Sequence, residues 1–326
     1  MGYTGPFVVS DESLDNVVEF FSTDVAGNVE ATQSVQFKLD KTPPGVAIGA
    51  GTIDGIAWDQ AHLQRGILTN ESSLHIDCAV SDNLALFDVH AVDIDAGTTI
   101  ASQSLDQSPP LTSSPCALDV PLHGGINTID LLAEDGAGWT HGPRIQVVYV
   151  APLPCPRPKD ADDDGEKDDE HDRGRCVRNE EFWREAVKHH KYTNAELRAL
   201  LDEINVVSDV WGNDASRNRY GPLTIDNYRS FLKEDDDHSS AEQRLQSEML
   251  ADWLNLVSGR LAVKHPINVH EVKRWGLVMD DIGNDPNTYA LKVMVDIEAK
   301  TQPGTPARKI VDTAIKLARL LDRGDD

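Results

Sequence analysis

The sequence has no run of about 18 apolar residues, so no part of it is built to cross a bilayer as a helix. It is also short of positive charge, with 30 lysines and arginines against 55 acidic residues, a formal net charge of −25. A nucleic-acid partner needs a basic surface that displaces counterions from phosphates, so nucleic acid is excluded as a partner, and an anionic membrane surface is disfavoured on the same charge. The opening MGYTGPFVVSDESLDN lacks the basic stretch and the apolar core of a secretory leader. Catalytic signatures are missing too: there is no G-x-S-x-G, P-loop, glycine-rich dinucleotide turn or H-E-x-x-H. Carboxylates are too abundant for one pair to stand out, and the expectation is a protein that is not an enzyme.

Cysteine is scarce. Cys78, Cys116, Cys155 and Cys176 contain no C-x-x-C pair, which argues against a zinc ribbon or a thioredoxin-type site. Four cysteines allow three pairings. Cys78 with Cys116 and Cys155 with Cys176 is the simplest, because each pair then lies within one composition block; four free thiols of a reducing compartment are the alternative.

What is present is an internal repeat. NVVEFFSTDVAGNVE, from Asn16, aligns without gaps on NTIDLLAEDGAGWTH, from Asn127. Asp24 falls on Asp135, Gly27 on Gly138, and Val18 and Phe20 on Ile129 and Leu131. A further strand follows each copy, SVQFKLD and RIQVVYV, and then a proline-rich exit, KTPPG and APLPCPRP. Val35, Phe37 and Leu39 alternate with polar residues, the period of a half-buried strand. Further strands are expected over 73–80, 86–94 and 116–122. Several short strands in about 100 residues predict an immunoglobulin-like sandwich over 46–150. Residues 1–41 hold only the closing strands of an earlier copy, so the chain is expected to begin inside a domain and to lack its natural start.

These residues resemble a known kind of module. Y-x-G-P-F, V-E-F-F-S-T-D-V-A-G-N-V-E and D-K-T-P-P are similar to the end of bacterial immunoglobulin-like repeats of surface proteins and of secreted glycosidases such as chitobiase. The resemblance covers 3–44 well and extends more loosely to 150, where Trp139 replaces the usual asparagine. It implies an extracellular or cell-surface stalk, spacer or adhesion module whose partners are other surface proteins or glycans. Asp24 and Asp135 stand at strand ends, where an Asx turn is the stronger reading and calcium between modules, as in cadherin-like stalks, the other. Trp139 is the candidate for an exposed contact such as sugar, although packing is the stronger role for it.

The acidic stretch KDADDDGEKDDEHD, Lys159 to Asp172, fits calcium-loop spacing. Asp160, Asp162 and Asp164 take positions 1, 3 and 5, Gly165 the sharp turn, Glu166 a carbonyl ligand and Asp168 position 9. His171 occupies position 12 and Asp172 comes one place late. The pattern resembles the D-x-D-x-D-G-x-x-D core of thrombospondin type 3 and dockerin repeats, though those recur in tandem. Calcium is the expected cofactor, bound at about 10⁻⁴ to 10⁻³ M as in extracellular modules. A solvated acidic linker over 151–176 is the alternative.

From Asn179 the period becomes helical. Thr193 with Glu196, and Ser240 with Gln243, read as capping boxes, and Thr305-Pro306 as a helix start. An all-α bundle is therefore expected over 177–326, with Trp183, Trp211, Trp253 and Trp275 in its core. C-x-x-x-x-x-F-W-R, Y-T-x-x-E-L and E-M-L-A-D-W-L resemble helical C-terminal modules of bacterial secreted proteins over 176–261. The fold class expected is thus multidomain: an immunoglobulin-like sandwich plus a partial one, then helices. The function expected is structural or adhesive, with a carbohydrate-binding accessory region of a secreted hydrolase as the alternative.

Overall fold

The computed structural model describes residues 5–54, 56–153, 177–214, 218–232, 240–265, 267 and 289–301. In chain order the strands are β1 (Ser13–Phe20), β2 (Gln33–Leu39), β3 (Gly45–Ile48), β4 (Gly51–Ile53), β5 (Ile56–Trp58), β6 (Ile67–Thr69), β7 (Ser73–Ser81), β8 (Leu86–Asp93), β9 (Thr98–Ser104), β10 (Ser113–Pro121), β11 (Gly125–Asp135), β12 (Thr140–His141) and β13 (Arg144–Tyr149). The helices are α1 (Gln60–Arg65), α2 (Glu180–Glu185), α3 (Asn194–Val207), α4 (Tyr228–Phe231), α5 (Ala241–Val257) and α6 (Ala290–Thr301). The chain forms two compact units, one of residues 1–49, 75–120 and 129–144, the other of 50–74, 121–128 and 145–326.

The first unit is all β. β10, β7 and β3 form one sheet; β11, β8 and β9 lie side by side within a second, six-stranded sheet, and β12 pairs with β11. Burial alternates strictly along β7 and β10, so Ile76, Val80, Leu118 and Val120 turn inward while their neighbours face water. Val89, Ala91, Leu131 and Ala133 do the same from the second sheet. Two sheets that each bury one face make a β sandwich. Cys78 of β7 and Cys116 of β10 are joined by a disulfide, which ties neighbouring strands of one sheet.

Ahead of the sandwich lies the β1–β2 hairpin, with Val18 opposite Val35 and Asn16 opposite Phe37. Its apolar residues are not covered as those of the sandwich are: Phe20 and Val35 are each about half exposed.

The second unit contains strands as well as helices. β6 runs parallel to β13, pairing Ile67 with Val147, and β4 pairs with β5. Leu68, Val148 and Val150 share one core with Trp183, Leu201, Trp211, Met249 and Trp253. Both expected capping boxes are formed: Thr193 with Glu196 opens α3, and Ser240 with Gln243 opens α5. The Asn179 side chain accepts from Phe182 N and starts α2. The helix expected after Thr305 lies outside the described residues. No helix among the described residues is long and apolar enough to cross a membrane.

Candidate functional site

The two copies of the repeat close with the same turn. Asp24 accepts Gly27 N through its carbonyl at 3.0 Å, and Asp135 accepts Gly138 N at 3.2 Å. Both glycines sit at φ +88°, a left-handed conformation that glycine adopts without steric cost. The Asp24 side chain accepts Asn28 N at 2.9 Å and Asn28 Nδ2 at 2.8 Å, so both of its oxygens are engaged. Those bonds, the Asn28 side chain first, hold the exposed Asp24 carboxyl below its ordinary range. Asp135 Oδ1 accepts Ala137 N at 2.8 Å and Trp139 N at 2.9 Å. The Asx-turn reading thus describes both positions.

The copies differ in surroundings. Asp24 is exposed, whereas Asp135 is 1% exposed. Asp135 lies beside Asp40, which follows β2, and Asp82, which follows β7; one oxygen from each of the three lies within 4.8 Å of the others. Asp82 Oδ2 caps the next turn, accepting Leu84 N at 2.7 Å and Ala85 N at 2.8 Å. Asp82 Oδ1 and Asp135 Oδ2 are buried and have no hydrogen-bond partner. Two carboxylates at this spacing repel by roughly 3 kcal/mol at an effective dielectric constant of about 20. Burial, and then the charges of Asp82, Asp135 and Glu12, push the Asp40 carboxyl up, against a lowering bond from Thr42 N.

Four hydrogen bonds hold this arrangement at the junction of hairpin and sandwich. The Trp139 indole N–H donates to the Asp40 carbonyl at 3.3 Å. Glu12 Oε2 accepts Asn83 Nδ2 at 2.8 Å, and Glu12 Oε1 accepts Lys41 N at 2.7 Å. Thr42 Oγ1 donates to Glu12 Oε2 at 3.0 Å. The segment leaving β2 is therefore pinned from both sides.

No family model matches the chain, and no curated protein matches it. Among solved structures, it is similar to fibronectin(III)-like modules of Clostridium thermocellum CbhA, at 13% identity and a TM-score of 0.21, over 33% of this chain and 99% of that one. It is also similar to a Ca2+-stabilised adhesin with which an Antarctic bacterium binds ice, at 16% identity and a TM-score of 0.20, over 43% of this chain and 32% of that one.

The structure distributes the expected site residues unevenly. Asp160, Asp162, Asp164, Glu166, Asp168, Asp172, Cys155 and Cys176 lie outside the described residues. Trp139 is half exposed, with its polar edge turned to Asp40. Trp183, Trp211 and Trp253 are core residues, while Trp275 lies outside the described residues. Asp40 and Asp82 were not among the expected site residues. Their signals are modest: an aspartate directly before K-T-P-P, and an S-D-N turn after a strand.

The second unit offers different chemistry. A polar cleft of about 390 Å³ is lined by residues including Gln64, Gln146, Asp202, Asn205 and Asn218. Glu298 is fully buried on α6, accepting from Ser208 Oγ at 2.5 Å, Asp209 N at 2.8 Å and Trp253 Nε1 at 2.7 Å. Burial still pushes its carboxyl up to about 7. These bonds join α3's C-terminal turn, α5 and α6 within the core and read as structural.

Proposed function

We propose that this chain is a non-enzymatic structural or adhesive segment of a bacterial surface or secreted protein, built from immunoglobulin-like modules in series. The observation that carries this reading is the repeated Asp–Gly turn, whose second copy is packed against the exit of the first hairpin. A chain that repeats one β module and fixes the join between copies gains length and a defined direction rather than a catalytic cleft. The disulfide between Cys78 and Cys116 supports an extracytoplasmic place for it.

The same reading divides the chain into a partial module at 1–41, a sandwich at 46–150, an acidic calcium-binding linker at 151–176 and a helical domain at 177–326. In the linker, calcium held by Asp160, Asp162, Asp164, Glu166, Asp168 and Asp172 neutralises crowded carboxylates and stiffens the connection. Small-angle scattering of the whole chain tests this. Added calcium is expected to change the scattering profile of wild type and not of Asp162→Ala/Asp164→Ala; an unchanged profile in both overturns the stiffened linker.

A second reading, a carbohydrate-binding accessory region, draws on the half-exposed ring of Trp139. Reproducible glycan-array binding that disappears in Trp139→Ala would favour it over the structural reading.

A further inference from the structure

We propose that Asp40, Asp82 and Asp135 bind a hard divalent cation, calcium by its ligand chemistry, which fastens the β1–β2 hairpin to the sandwich. The three side chains offer only carboxylate oxygens, the donor set of calcium and magnesium rather than of zinc or copper. Calcium binds oxygen at 2.3–2.6 Å, so ligands on opposite sides of one ion stand up to about 5 Å apart. The oxygens here lie within 4.8 Å of one another, inside that span. Magnesium, with its shorter bonds, brings opposite ligands to about 4.2 Å and demands a near-ideal octahedron. Water and backbone carbonyls complete a calcium shell of six to eight oxygens.

The comparison of the two repeat copies is what separates this cluster from ordinary surface acidity. In the first copy the second carboxylate oxygen, Asp24 Oδ2, receives a proton donor from Asn28. In the second copy Trp139 stands at the matching position, and its N–H goes instead to the Asp40 carbonyl. Asp135 Oδ2 is left with no donor on a side chain that is 99% covered, and Asp82 Oδ1 is likewise buried without one. A buried carboxylate oxygen with no partner is costly, and here two stand in one cluster that contains no ion pair among the described residues. A divalent cation satisfies both oxygens and removes the mutual repulsion in one step.

The inference uses the junction residues alone and does not depend on the acidic stretch between Lys159 and Asp172. The experiment therefore uses the full chain with Asp162→Asn and Asp164→Asn as parent, so that failure of the linker site and failure of this one are read separately. Calcium is titrated by calorimetry, and thermal unfolding is recorded in calcium and in chelator. The parent is expected to bind calcium and to unfold at a higher temperature with it. Asp135→Asn retains an oxygen for Ala137 N and Trp139 N, and Asp82→Asn one for Leu84 N and Ala85 N. Each is expected to bind at least tenfold more weakly and to lose the calcium-dependent rise. In chelator both variants are expected to be at least as stable as the parent, because a repelling charge is gone; a merely structural role predicts a loss there. No heat and no shift at millimolar calcium in the parent, or undiminished binding in both variants, overturns the proposal.

Discussion

The Trp139 indole N–H donates to the Asp40 carbonyl across 3.3 Å, and so joins the residue that ends one β hairpin to the turn that ends β11. That bond occupies the position where the first copy of the repeat uses Asn28 to satisfy Asp24. One substitution between copies thus exchanges a local carboxylate–amide bond for a contact between consecutive elements, and leaves the carboxylate open.

Restoring the asparagine tests this exchange. In Trp139→Asn the amide can reach Asp135 Oδ2 as Asn28 reaches Asp24 Oδ2 at 2.8 Å. The variant is expected to lose the link to Asp40, to bind calcium less tightly and to be cleaved faster by protease in the Lys41–Pro44 segment. Limited proteolysis with and without calcium measures the last two together. Cleavage as slow as in wild type would show that the indole bond does not hold the junction.

The disulfide between Cys78 and Cys116 closes a loop with a sequence separation of 38. Restricting the unfolded chain over that length stabilises the sandwich by about 4 kcal/mol in the chain-entropy account. Urea unfolding of Cys78→Ala/Cys116→Ala, followed by a signal from the β unit, is expected to show a loss of about 2–4 kcal/mol.

Glu203 on α3 sets an expected pH dependence in the second unit. Burial, with the neighbouring charge of Asp202 adding to it, pushes its carboxyl up to about 7. A carboxyl raised in the folded state binds its proton more tightly there than in the unfolded chain. Its contribution is therefore fully present below the ordinary 4.5 and is lost as pH rises through about 7. Stability is expected to fall by up to about 1.4 kcal/mol per pH unit in that window from this group. Glu203→Gln removes the ionisation and is expected to flatten the slope, gaining about 1–3 kcal/mol at pH 8 and little at pH 4. Chemical denaturation at several pH values gives the slope; an unaltered slope in the variant would assign the dependence to Glu298 instead, whose carboxyl burial also raises to about 7.

Much of the local structure is legible in the residues. The alternation in SLHIDCAV and the turn residues around it place β7, and the matched Asp–Gly spacing places two identical turns far apart in the chain. Thr193 with Glu196 and Ser240 with Gln243 each hold the donors of a helix N-terminus, a task of neighbours three apart, so sequence alone locates them. β9 was missed because TTIASQS is mostly polar and largely exposed, which leaves no apolar period to read. α1 was missed because its six residues depend on the Asp59 cap and on burying Leu63 rather than on a repeating stripe. The pairing of β6 with β13 joins parallel strands distant in sequence, for which local pattern carries no address.

What the sequence by itself determined is therefore whatever repeats or caps within a few residues: the β period, the Asp–Gly turns, the helix starts and the acidic character of the chain. Tertiary structure alone decided that Asp40, Asp82 and Asp135, from three separate strand ends, come within 4.8 Å of one another. It also decided that Asp135 is buried while its twin Asp24 stays in water. The physical reason is that a turn's own hydrogen bonds are fixed by its residues, whereas the desolvation and repulsion felt by its carboxylate are set by which other strand ends the fold brings beside it.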